Sequence, residues 1–305
     1  MEPLSSIPEV CEVVHVRGSK APQSGVPDLL LEVPHGATLA AHFTALRSAL
    51  IGSFPDGLQD FFFVNTDVGA PELALAVARR FVALAPQRSA VVVRCLIPRT
   101  FVDCNRVIDA DAKPRASAAG EVTPGLHSYV KDAHDRRLLL QRYTAYRSLA
   151  TAAFAHVCGG GGLALMLHSY APRSIDVPVD EHIVERLRAE YAPDKITNWP
   201  LRAEVDLIAK DQEDRLLAAP RLFEAVRAEV ASAGFDVAIG VAYPLHPATL
   251  AHAFSVLHPL STLCLEVRRD LLVREFTPFA EMQADSAKVE RIAAALATAV
   301  VHTTW

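Results

Sequence analysis

Short apolar runs alternate with helix-patterned segments along almost the whole 305-residue chain, and this alternation narrows the available folds more than any other feature. Runs rich in Leu, Val and Ile recur at 12–16, 29–33, 90–95, 163–167, 237–242 and 262–267 and read as buried strands. Helical patterns occupy 38–50, 71–84, 132–157, 180–191, 215–232 and 284–300. Pro71 suits the first turn of its helix, where a missing N–H costs nothing. Strands alternating with helices predict an α/β fold with a mainly parallel sheet covered on both faces, in a single domain spanning 1–305. The stretch 109–123, rich in Ala, Ser, Lys and Pro, breaks the rhythm and reads as an exposed insertion that could act as a lid. The four glycines at 159–162 serve as a helix stop and tight turn, because no Lys-Ser/Thr follows as a phosphate loop requires.

With 51% hydrophobic residues the chain can bury a substantial core. A net charge of -5 supplies no basic field, so nucleic acid is not an expected partner. Five cysteines without a Cys-x-x-Cys pair suggest reduced, buried thiols rather than a disulfide framework or thiolate cluster. The first residues lack the basic-then-apolar pattern of a leader, and no segment reads as the ~20-residue apolar span a membrane helix needs. The expectation is a cytoplasmic protein with no membrane partner, and nothing in the chain indicates an oligomeric state.

Several polar segments sit at strand ends, where sites form in open α/β sheets. In Leu31-Glu-Val-Pro-His35-Gly36 a strand ends in a histidine presented on a turn. In Asn65-Thr-Asp67-Val-Gly69 a carboxylate feeds the Pro71 helix, where it could equally stabilise the helix start. Leu165-Met-Leu-His168-Ser169 is again a strand ending in a histidine. His35, Asp67 and His168 make a zinc triad that leaves a coordination position open for water, although no short zinc motif links them. The segment 98–109 packs Arg99, Asp103, Asn105 and Arg106 together; an arginine fork beside an amide suits a substrate carboxylate, with Asp103 holding the arrangement, and a structural ion-pair network is the alternative. Glu266 interrupts an apolar strand. Burial would raise its pKa and suit it to taking a proton from water, unless it simply pairs with Arg268.

In this order the Pro-His-Gly turn, the Asp-x-Gly before a helix, Arg99 with Asp103-Cys-Asn105-Arg106, the strand ending His168-Ser169 and Glu266-Val-Arg268-Arg-Asp-Leu resemble the N-formylglutamate amidohydrolase family, over about 29–272. Asp103-Cys-Asn105-Arg106 is also similar to the Asp-x-Asn-Arg of aspartoacylases in the wider zinc-carboxypeptidase superfamily. The resemblance implies a three-layer α/β/α fold with a mixed sheet and one zinc per chain on His35 and His168. Carboxypeptidases place a third ligand where this chain has Thr38, so Asp67 is the candidate here. By the same transfer Asn105 and Arg106 bind a substrate carboxylate, Arg99 polarises the scissile carbonyl and Glu266 activates water. Ser169 and Arg268 complete the substrate-binding set. The implied activity is hydrolysis of an amide bond in a small acidic substrate such as an N-formyl or N-acyl amino acid.

Two departures bear on the substrate: Asn65 stands where family members often have an acid, and the 243–246 region lacks an Asn-Glu-Pro-Tyr loop. They leave open a non-catalytic metabolite binder, or a zinc hydrolase of another amide in secondary metabolism. His246, His252 and His258 could line a different pocket or lie on the surface. A cysteine hydrolase using Cys104 or Cys264 is a further alternative, weakened because neither has a helix-start or histidine-paired context.

Overall fold

The computed structural model describes residues 4–109 and 111–303. Residues 1–3 of the N-terminal segment, 110 of the insertion and 304–305 of the expected domain lie outside the described residues. The chain runs β1 (Cys11–Arg17), β2 (Leu29–Val33), α1 (Ala40–Ser48), α2 (Leu58–Asn65), α3 (Ala70–Leu84), β3 (Ser89–Cys95), α4 (Ala133–Gly159), β4 (Leu163–Tyr170), α5 (Ile183–Glu190), α6 (Pro193–Ile196), β5 (Val205–Leu207), α7 (Pro220–Ser232), β6 (Val237–Ile239), α8 (Leu250–Leu257), β7 (Thr262–Arg268) and α9 (Ser286–Thr303).

The strands form one seven-stranded sheet in the order β1-β3-β2-β4-β7-β5-β6. The inner four, β3, β2, β4 and β7, are mutually parallel, while β1 and β5 pair antiparallel to their neighbours and β6 follows β5. The sheet is therefore mixed and largely parallel, with helices on both faces. Because side chains alternate along a strand, each run feeds two cores. Leu29, Leu31 and Val33 of β2 pack under α3, α7 and α9 together with Leu165, Leu167, Leu263 and Leu265. Leu30, Met166 and Cys264 point the other way, toward α4, α2 and α8. Both faces are covered, which is why the inner strands read as unbroken apolar runs.

Four elements escaped the sequence reading, one of them the four-residue α6. β5 is only three residues long and carries Asp206 at its centre. The helices α2 and α8 span eight residues each, too short for a helical period to separate them from an apolar run. The helix expected over 215–232 begins only at Pro220, because the chain before it is held elsewhere: Leu217 N donates to Ala209 O and Ala219 N to Thr262 O. The strand expected over 237–242 stops at Ile239, where Gly240 turns with φ +63°.

The stretch 58–84 is long and apolar enough to pass for a membrane span by length and composition. It is instead α2 and α3, interrupted at 66–69 and mostly buried inside the fold. That interruption carries Asp67. It depends on Gly69, which adopts φ +88° at the start of α3 and whose added Cβ would lie 2.4 Å from Leu272 Cβ. Gly69→Ala is accordingly expected to destabilise the fold by roughly 2–4 kcal/mol, through both backbone strain and overpacking. Urea unfolding measures it, and an unchanged midpoint would show that this turn can rearrange freely.

Candidate active site

The carboxyl ends of the parallel strands open into a cavity of about 1020 Å³. Period-two alternation explains what lines its floor. His168 on β4 and Glu266 on β7 are direct neighbours in the ladder, and both lie on the α4 side, where the rest of each strand supplies Met166 and Cys264. Asp206 on β5 stands opposite Glu266 on the next strand. Along that face an apolar floor thus changes to a row of polar side chains at its end.

His35 follows β2 by one turn residue, and Asp67 hangs from the break between α2 and α3. His35 Nδ1 is 3.2 Å and His168 Nδ1 is 2.9 Å from the same Asp67 Oδ2, and all three residues are buried. His35 Nε2 lies 2.8 Å from Asp103 Oδ1. A neutral imidazole donating from Nε2 to Asp103 turns its Nδ1 lone pair on Asp67 Oδ2, so two acceptors face each other unless a proton or cation lies between them. The ligand atoms of His35, Asp67 and His168 all fall within 4.8 Å of one another. Donors bound at the usual zinc distances in a tetrahedron stand roughly 3.3–3.5 Å apart, close enough to this spacing that the cluster could hold a small divalent ion. Asp103 then supplies the outer carboxylate that commonly orients a ligating histidine. Thr38, at the alternative ligand position, accepts from Arg94 Nη2.

The electrostatics follow from this clustering. Burial opposes ionisation of Asp67, but His35 and His168 outweigh it and hold its carboxyl below the ordinary range. Burial likewise opposes charge on His168, yet its bond to Asp67, with Cys264 and Glu266 nearby, lifts it well above an ordinary histidine. Glu266 is raised by burial and by Asp67, against the pull of His168. Its partner is not Arg268: Tyr243 donates a short hydrogen bond to Oε1, while Oε2 is buried without a partner. Glu32 lies under the cluster, raised by burial and bonded by Tyr146.

Arg99 donates to Asp103 Oδ2 at 2.8 Å and lies 3.9 Å from Asp67 Oδ1. Asn105 accepts the Ala251 N–H on Oδ1, and Arg106 donates to Thr123 through Nε and Nη2. All three line the cavity. Ser169 also reaches it, but its hydroxyl donates to Val68 O beside Asp67. Arg268 is not brought to the cavity; it turns to Asp270 and Glu204. Residues of the 109–123 insertion form one wall, most of them exposed, with backbone bridges from Arg115 to His127 and from Ser117 to Val179. Asn65 is satisfied as an amide, since the orientation with its nitrogen toward the Phe61 and Phe62 carbonyls gives 3.0 and 3.1 Å contacts that a carboxylate could not make. His246 borders the cavity, whereas His252 and His258 lie on α8 and at its end. Burial raises both the Cys104 and Cys264 thiols, which keeps them protonated and disfavours a thiolate nucleophile.

Tyr243, Asp206 and His127 carried no readable signal in the chain. Tyr243 reaches Glu266 because Asp206 accepts the backbone N–H groups of Val241 and Ala242 at 3.3 and 2.7 Å, fixing the loop after β6. His127 stacks on Tyr129, and its Nε2 lies 3.3 Å from the Arg99 carbonyl. Burial pushes it down to about 4 from 6.5. Between those values the unfolded chain binds a proton that the folded one refuses, so stability falls as pH drops through this window. Relative to the wild type, His127→Phe is expected to lose roughly 1–3 kcal/mol less between pH 6.5 and 4. Parallel stability profiles for the two proteins would contradict this.

A mixed α/β sheet with two histidines and a raised glutamate at its strand ends, and an aspartate brought beside them from the α2–α3 break, frames a candidate hydrolase site. The chain belongs to the N-formylglutamate amidohydrolase family, whose model matches residues 28–273. It is therefore an enzyme of the amide-hydrolase class. No curated protein matches the sequence. Among solved structures, the N-formylglutamate amidohydrolase of Ralstonia eutropha is 17% identical with a TM-score of 0.58, covering 96% of this chain and 98% of that one. A gene product of Agrobacterium tumefaciens is 18% identical with a TM-score of 0.52, covering 99% and 98%. Both are alike in fold.

Proposed function

We propose that the protein, acting as a single catalytic domain, hydrolyses the amide bond of a small carboxylate-bearing substrate, an N-formyl or other N-acyl amino acid, with one zinc ion on His35, Asp67 and His168. The observation that carries this is the meeting of two imidazoles on one carboxylate oxygen, beside a glutamate with a free, buried oxygen. Two imidazoles and a carboxylate suit zinc. Zinc there would lower the pKa of water and polarise the carbonyl. Glu266, with a raised pKa, takes the proton from the attacking water on Oε2 and passes it to the departing nitrogen. Tyr243 keeps Glu266 Oε1 occupied, so that Oε2 is the basic edge. Arg99, anchored on Asp103, offers its remaining N–H groups to the carbonyl oxygen as negative charge develops. Asn105 and Arg106 orient the substrate carboxylate, and Ser169 acts through the loop it ties down at Val68.

The experiment is metal analysis followed by amine release from a panel of N-formyl, N-acetyl and N-succinyl amino acids. One zinc per chain, activity abolished by a chelator and restored by added zinc, is the expected result. Absence of amine release from every member of the panel by metal-loaded protein would sink the reading.

A further inference from the structure

The arginines at this end of the sheet, in the cavity and beside it, differ in how their charge is met. Arg99 and Arg106 face Asp103 at 2.8 and 3.6 Å, and Arg268 faces Asp270 and Glu204. Arg202 does not share this arrangement. Among the described residues no carboxylate oxygen lies within 4.0 Å of its guanidinium. Its Nη1 and Nη2 reach the Ala171 carbonyl and Ser174 Oγ at 3.5 and 3.4 Å, the outer edge of hydrogen bonding. Its Nε is buried without a partner. The guanidinium lies over the Tyr170 ring at 4.9 Å, and its backbone is held by Pro172 O and by Arg268 Nη1. Arg202 lines the cavity together with Glu266 and Tyr243.

A desolvated N–H without an acceptor costs free energy, and a cation without a counter-ion costs more. Such a cation persists in a cavity wall when its counter-charge arrives with the ligand at the loosely held Nη1 and Nη2 groups, and a guanidinium is shaped for a carboxylate. We infer that Arg202 is a substrate-binding residue that receives a second anionic group of the ligand, a carboxylate beyond the one assigned to Asn105 and Arg106. The inference rests on the proposed function only for the identity of the compound that carries the anion.

Glutarate and its neutral diamide, glutaramide, are the probes, because neither needs turnover for binding to be measured. Titration calorimetry on the metal-loaded protein compares wild type, Arg202→Gln and Arg202→Lys, with Arg173→Gln as the neighbouring cavity arginine. Loss of a charge-assisted bond predicts that Arg202→Gln binds glutarate roughly tenfold or more weakly and glutaramide nearly as wild type. Arg202→Lys keeps the charge but not the fork, and should weaken glutarate to a lesser degree. If Arg202→Gln does not fold, Arg202→Lys decides by the same comparison. The inference is overturned by equal losses for both ligands, by no loss, by a loss seen only in Arg173→Gln, or by wild type that does not bind glutarate. Failure of amide hydrolysis itself appears separately, as absent amine release from the N-acyl panel.

Discussion

Glu266→Gln is expected to lower kcat by about 10²–10⁴-fold while leaving KM and the fold nearly unchanged. Glutamine has the shape of glutamate and keeps an oxygen for the Tyr243 hydroxyl, so the contact to the β6–α8 loop survives. What disappears is the buried Oε2, the oxygen with no partner and so the one left free to accept a proton. Removing a buried carboxylate also removes its desolvation cost, so the melting temperature should hold or rise. Kinetics on the best N-acyl substrate, with thermal unfolding in parallel, separate lost chemistry from lost structure. A variant within threefold of wild type in kcat would remove Glu266 from the role of base.

The second large effect concerns the metal. His168→Ala and His35→Ala should each lose zinc affinity by more than the roughly 10–100-fold typical of an outer-shell change, and Asp103→Asn should fall within that range. The ordering follows from position: the two histidines meet Asp67 directly, whereas Asp103 acts on the far nitrogen of His35. Activity should track occupancy, and excess zinc should rescue Asp103→Asn but not the histidine variants. Zinc titration against a chromogenic chelator reads all three. Full stoichiometry and turnover in His35→Ala would show that the ion sits elsewhere.

Much of this protein was legible before any coordinate. The unbroken apolar runs at 29–33, 90–95, 163–167 and 262–267 demanded a sheet buried on both faces, and the inner parallel strands fall on them. His35, His168 and Glu266 were conspicuous because each is polar where an apolar run should continue or end. Asp67 was legible both as a helix-start acid and as a candidate third ligand, without a motif to choose between the two. Its place beside both histidines depends on the break at 66–69, and that break depends on Gly69 fitting against Leu272, a residue two hundred positions away.

Local composition thus settled the class of fold, the inner strands and the residue types that could work at their ends, because burial and periodicity act over a few neighbouring residues. Partnership was decided in three dimensions. Glu266 belongs to Tyr243 rather than Arg268, since Arg268 turns out to Asp270 while Asp206 draws the loop after β6 across the sheet. Arg202 stands in the cavity wall without a carboxylate, whereas Arg268 does not reach the cavity at all. The chain contains thirty lysines and arginines, and only packing decides which of them is left facing the substrate.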